Sequence, residues 1–391
     1  MTTQRGSTAS GVRRLLILRM ALAVMAVLAV LKLGDEFGRL LAGQPAHGAG
    51  DLRLRRLEVL AWFSGAPVYP ALVSAIYPPA SYILFWPLTG WLSVTSTIWL
   101  WAMTSVVALV ATLRLTIRDC RVTARAELWT LVLLLLSMNA TGVAIGNGQV
   151  ILHVLPLLLA AMLWVHTRPA SWRRDVLVAA CFLGALVKPN LSAPFFWILL
   201  CSPGGWRPAA LTAIGYAGLT VLASHYQPYA LTTLLTDWIA TARVQMFKGY
   251  GDVNSLILAV GVTVPSTVLD LSLLGIWGAW VCRHRGADRW IVLGATALFS
   301  RFWTYHRVYD DVLVFVAEVA LFRIATGATD DRAPMRHLAE VLLFLTAIAM
   351  LWPARLLVLP GPAGLVFRAG HVLVWATVLV FLMARARRRS A

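Results

Sequence analysis

The chain has 391 residues, 59% hydrophobic and only 13% charged, with a mean hydropathy of +0.75; a soluble domain carries about a quarter charged residues, so this composition excludes a soluble enzyme and predicts an all-α, polytopic membrane protein. The net charge of +17 would suggest nucleic acid in a soluble protein. Here the arginines lie mostly in short segments between apolar runs and in the tail Arg385-Ala-Arg387-Arg388-Arg389, which is a topological pattern and not a nucleic-acid surface.

The first apolar run, 15–33, is long enough to cross the roughly 30 Å hydrocarbon core as a helix. A cleaved signal peptide competes, because Arg13 and Arg14 precede the run, but the run is long and lacks a convincing small-x-small cleavage site. Further runs cover 79–118, 127–145, 149–166, 174–187, 190–201, 206–224, 265–282, 289–301, 310–325, 338–352 and 364–384. The 79–118 run is too long for one span. Read as a short re-entrant helix through Pro87 followed by a full span from Thr95, it gives one net crossing, whereas two full spans would invert everything downstream. One crossing with a cytoplasmic N-terminus puts Arg114, Arg118, Arg121, Arg125, Arg168, Arg173, Arg174, Arg207, Arg283, Arg285, Arg289, Arg323, Arg332, Arg336 and the terminal arginines inside.

The reading that follows is one membrane domain of about twelve transmembrane helices with both ends inside. It has cytoplasmic tails at 1–13 and 385–391, a first external loop at 34–78 holding an interfacial helix, and a second external loop at 225–264. Cys120, Cys181, Cys201 and Cys282 then fall in cytoplasmic loops or within the membrane, so no disulfide is expected, and none has metal-ligand spacing.

The polar clusters arrive at the external face. Asp51 heads a segment whose Leu54, Leu57, Val59, Leu60 and Phe63 suggest an amphipathic helix in the interface, with Arg53, Arg55 and Arg56 available to lipid headgroups or a phosphate. Two readings fit Asp51: a general base, or a solvated acid capping that helix. Gly146-Asn147-Gly148-Gln149 is a turn sequence whose two amides could bind sugar hydroxyls. Lys188, one of only three lysines with Lys32 and Lys248, either snorkels at a span end or supplies a point charge for a phosphate. His306 with Asp310, and Arg307 with Asp311, are spaced i,i+4 for one helical face, as a structural ion-pair network or as an imidazolium and guanidinium facing an anion. Glu318 falls inside an apolar helix and should face the protein interior. His225, Asp237, Lys248 and Tyr250 in the second external loop are looser candidates. There is no Walker A sequence, no GxGxxG after a strand, no HExxH, no GxSxG and no zinc spacing.

Asp51-Leu-x-Leu, Gly65-Ala-Pro-Val-Tyr69, Tyr77-Pro78-Pro79-Ala-Ser, Gly146-Asn-Gly-Gln149-Val, Lys188-Pro189 and Trp303-Thr-Tyr305-His306, in that order, resemble the polyprenyl-phosphate-sugar-dependent glycosyltransferases of the membrane C superfamily, in their bacterial alpha-1,2-mannosyltransferase branch. The sequence departs from that pattern at Arg56, where an aromatic is usual, and at Ser300-Arg301, where Ser-Pro is more familiar. The resemblance implies an inverting transfer of mannose from polyprenyl-phosphate-mannose to an acceptor hydroxyl on a glycolipid or glycan at the outer face of the cell membrane, with no nucleotide, no cofactor and no metal. It implies Asp51 as base. Around it, Lys188, His306 and Arg307 would meet the phosphate, Asn147 and Gln149 the sugar, and Tyr77 and Tyr305 would complete the donor site. The expected partners are membrane lipids, the lipid-linked donor and the acceptor, with no nucleic acid. Polyprenyl-phosphate-arabinofuranose is an alternative donor. A transporter using Asp310 and Glu318 as coupling sites is the alternative from another class.

Overall fold

The structure, a computed structural model, describes residues 4–42, 48–69, 71–72, 74–246, 251–259, 261, 266–329, 332–353, 356, 359 and 361–387. Among them there is no strand. The helices are α1 (Gln4–Leu41), α2 (Gly50–Phe63), α3 (Pro79–Thr89), α4 (Val94–Cys120), α5 (Arg125–Ser137), α6 (Asn139–Asn147), α7 (Ile151–Thr167), α8 (Trp172–Ala185), α9 (Pro189–Ser192), α10 (Phe196–Cys201), α11 (Trp206–Ser224), α12 (Leu231–Met246), α13 (Val253–Ala259), α14 (Ser266–Arg283), α15 (Arg289–Trp303), α16 (Phe315–Ala325), α17 (Ala333–Leu351) and α18 (Gly361–Arg387).

Among the described residues four stretches, Leu16–Leu41, Val94–Cys120, Ala333–Leu351 and Gly361–Ala386, are long and apolar enough to cross a membrane, or six if each of two bent pairs is one span. The bends are 49° between α5 and α6 and 119° between α8 and the segment Pro189–Cys201. That count does not confirm the expected twelve; some of the apolar runs form helices shorter than a full span, such as α7 with 17 residues. The 79–118 run divides at Gly90–Ser93 into α3, about 16 Å long, and α4, about 40 Å long; only α4 has the length of a span.

The helices run between two ends of the molecule. α4 starts beside α2, where Arg56 Nη2 donates to Leu92 O at 2.7 Å, and finishes at Arg118 and Cys120. α7 starts just after Gln149 and finishes at Thr167. α15 runs the other way: Arg289 at its start meets Asp119 at 2.9 Å, and Trp303 at its end donates to Asn190 O at 2.8 Å. One end therefore gathers arginines from α4, α7 and α15, and the other gathers the turn at 146–149, α2 and the segment 304–311. Between them lies an apolar core built largely from α7, α15 and α16.

One expectation changes. Cys201 at the end of α10 and Cys282 near the end of α14 form a disulfide, with Cα atoms 5.3 Å apart, whereas Cys120 and Cys181 are free. The sequence separation of 81 carries no spacing signal, and only the packing of α10 on α14 brings the pair together. The segment 225–264, expected as a second external loop, contains α12 and α13. Lys248 and Tyr250 lie outside the described residues.

Candidate active site

Asp51 is fixed by the turn at 146–149. Ala49, at a left-handed φ of 55°, donates its N–H to Gly146 O at 2.8 Å and so sets the start of α2. The glycines of the turn allow this approach. Gly148 has φ +69°, and a Cβ there would lie 2.6 Å from Leu52 Cβ; a Cβ at Gly146 would lie 1.9 Å from Glu36 Oε2. Gln149 follows, nearly fully buried, and its Nε2 donates to Asp51 Oδ2. Among the described residues, Oδ1 of Asp51 carries no hydrogen bond.

Asp51 and Gln149 open onto a cavity of about 190 Å³ that also meets Arg55, Tyr77, Lys188, Tyr305, Arg307 and Tyr309. Six of the eight candidates named from sequence thus converge. The other two point elsewhere. Asn147 Oδ1 accepts from Arg39 Nη2 at 3.4 Å, on the α1 side of the turn. His306 is fully buried, its Nε2 2.7 Å from Asp311 Oδ1.

The i,i+4 pairing expected for 306–311 does not form, because 308–314 is a 3₁₀ helix and 304–307 is not helical. His306 and Arg307 precede the 3₁₀ segment that carries Asp310 and Asp311, so the four do not share one α-helical face. The partners redistribute accordingly: His306 takes Asp311, Arg307 Nε donates to the Tyr305 hydroxyl, and Asp310 receives Lys188. Lys188 does not snorkel. It is 4% exposed, forms an ion pair with the fully buried Asp310, and lies 4.9 Å from the centre of the Tyr309 ring.

Arg55, which the sequence offered to lipid headgroups or a phosphate together with Arg53 and Arg56, lines this cavity. It is buried, forms an ion pair with Glu58, donates to Ser74 O at 2.9 Å, and sits 4.8 Å from the Tyr77 ring centre. Leu54, Leu57 and Leu60 form the exposed apolar strip of α2, while Leu52, Val59 and Trp62 are buried. The helix thus carries apolar side chains on two faces, and a single-face reading could not assign Arg55. Burial pushes the Glu58 carboxyl up to about 7, against the opposing pull of Arg55 and Ser74. Burial likewise raises the phenols of Tyr77 and Tyr305 above their ordinary value, so both present O–H groups at neutral pH.

A second cavity, about 250 Å³ and largely apolar, shares Ile76, Tyr77, Lys188 and Tyr305 with the first and continues past Trp238, Ile239 and Ala242 of α12 to Leu271 of α14. Trp238 Nε1 donates to Ile76 O at 2.9 Å and holds α12 against the loop before α3. His225 and Asp237 line neither cavity. Among the described residues, no group of three or more His, Cys, Asp or Glu converges as a metal site.

The model of glycosyltransferase family 87 matches residues 75–326, well over half of the chain. The chain belongs to glycosyltransferase family 87. No curated protein and no solved structure matches it at a significant level. In this family 87 protein the matched region contains Tyr77, Gln149, Lys188, Tyr305 and Arg307, while Asp51 and Arg55 precede it and join the site through the fold. Long apolar helices and membership of this family make it a membrane glycosyltransferase.

Proposed function

We propose that this protein transfers a mannosyl residue from polyprenyl-phosphate-mannose to a hydroxyl of a glycolipid or glycan, with inversion, at the outer face of the cell membrane. The observation that carries the reading is the arrangement of one cavity: a carboxylate oxygen on one side, Lys188, Arg55 and Arg307 around the rest, and an apolar groove leading away from the lysine.

The acceptor oxygen attacks the anomeric carbon as the bond from that carbon to the phosphate oxygen breaks. Asp51 takes the hydroxyl proton, and the electron pair of the breaking bond leaves on the lipid phosphate. Gln149 fixes the carboxylate through Oδ2 and leaves Oδ1 for the proton. Lys188, Arg55 and Arg307 stabilise the charge that grows on the phosphate, an effect that is strong where the cations are held in place and water is limited. Tyr77 and Tyr305 donate to the sugar or phosphate oxygens, and the apolar groove takes the first units of the prenyl tail. Asn147 and His306 act through their neighbours in this scheme. Asn147 tethers the turn to α1, and His306 holds Asp311 behind the loop that carries Tyr305 and Arg307. The arginine-rich end of the helices is assigned to the cytoplasm, which puts this cavity outside.

The test is purified protein with labelled polyprenyl-phosphate-mannose and polyprenyl-phosphate-arabinofuranose against a panel of glycolipid acceptors. Acceptor-dependent release of polyprenyl phosphate from the mannosyl donor is the expected result. Turnover only with the arabinofuranosyl donor would replace the sugar and keep the mechanism, and no turnover with any lipid-phosphate sugar would refute the reading.

A further inference from the structure

At the end of the molecule remote from Asp51, the last turns of α4 and α7 and the first turn of α15 enclose a second polar cavity of about 480 Å³. Four guanidinium groups line it, those of Arg118, Arg121, Arg168 and Arg289. One carboxylate accompanies them, and it is already committed. Asp119 receives Arg289 at 2.9 Å and Trp290 Nε1 at 2.7 Å, which fastens α15 to α4 and forms a fixed wall. Arg168 is held over the Trp164 ring at 4.2 Å. Arg118, Arg121 and Arg168 therefore line one concavity in which, among the described residues, no further carboxylate is present to neutralise them.

Topological bias explains arginines at this end of the helices but not their convergence. Arg125, Arg173, Arg207 and Arg285 satisfy the same bias without lining the cavity, although they are exposed just as Arg118, Arg121 and Arg168 are. The carbonyl ends of α4 and α7 favour a nearby cation, which accounts for one arginine at each helix end and leaves an excess. Planar guanidinium groups at the ends of α4 and α7 match the oxygens of a phosphate group, and basic pockets between helices on the cytoplasmic side are the expected receptors of anionic lipid headgroups.

We propose that this cavity binds a phosphate group, supplied either by an anionic lipid of the adjoining leaflet or by free phosphate. The site is separate from the transfer site and does not depend on the donor assigned to it. Protein purified in detergent is exchanged into equimolar phosphatidylglycerol and phosphatidylcholine, and retained lipid is counted by native mass spectrometry. Preferential retention of phosphatidylglycerol is expected, falling at least about tenfold in the triple variant Arg118→Gln/Arg121→Gln/Arg168→Gln and unchanged in Arg125→Gln. Retention that persists in excess inorganic phosphate identifies the lipid headgroup as the ligand. Displacement by inorganic phosphate identifies a site open to the free ion. If the triple variant does not fold, the three single variants carry the test, each expected to lose part of the preference. Equal retention of both lipids by the wild-type protein, or undiminished preference in the folded arginine variants, would overturn the proposal.

Discussion

Lys188→Met separates a structural lysine from a catalytic one. Lys188 is 4% exposed and Asp310 is fully buried; among the described residues the second oxygen of Asp310, Oδ2, has no hydrogen-bond partner. Removing the lysine alone leaves a buried carboxylate uncompensated, a loss of about 3–5 kcal/mol. Replacing both partners with apolar side chains of similar size, Lys188→Met with Asp310→Leu, removes the stranded charge, and the double variant should recover most of that stability. Catalysis should behave differently. If the ammonium group stabilises the departing phosphate, its loss costs about 10²–10³ in kcat whether or not Asp310 is present. Thermal unfolding in detergent and single-turnover transfer from labelled donor read the two effects independently. A double variant that is stable and turns over at the wild-type rate would show that Lys188 only neutralises Asp310, and it would remove the lysine from the mechanism.

Asp51→Asn should lower transfer by about 10²–10⁴ with donor binding intact, and Gln149→Leu should lower kcat less while leaving the protein folded; normal turnover by the asparagine variant would sink the base assignment. Glu58 gives a pH signature. Its folded carboxyl titrates at about 7 against an ordinary 4.5, so the folded state holds the proton more tightly. The resulting stability is fully present below about 4.5 and is lost as pH rises through about 7. Glu58→Gln should remove that contribution, seen as a flatter dependence of the unfolding midpoint between those pH values, and an unchanged slope would contradict it. Gly148→Ala forces an L residue to φ +69° against Leu52. It should cost roughly 1–3 kcal/mol, measured by thermal unfolding; a neutral result would show that the turn relaxes freely.

Much of the site was legible as residue types. An acid heading an amphipathic stretch, a glycine-flanked amide turn, a lysine in a lysine-poor chain and an aromatic segment with a histidine all stood out against an apolar background, and six of those eight residues line one cavity. What misled was the assumption of α-helical spacing around 306–311. A 3₁₀ segment changes which side chains face each other, and no periodicity in so short a stretch announces it. Arg55 was similarly hidden, because its helix has apolar side chains on both an exposed and a buried face.

The sequence by itself determined the solvent: with 59% hydrophobic residues and apolar runs along most of its length, the chain is built for a bilayer, and the arginines between those runs mark the polar ends of its helices. The tertiary structure alone decided which of those helices have the length of a span, that Cys201 meets Cys282 across a sequence separation of 81, and that Lys188 answers Asp310 rather than solvent. The physical reason is one of range. Hydropathy and local spacing are properties of neighbouring residues, whereas the pairing of a charge with its partner is set by the packing of helices remote in sequence, and Asp51 acquires its surroundings only when α2 docks on the glycines of the turn at 146–149.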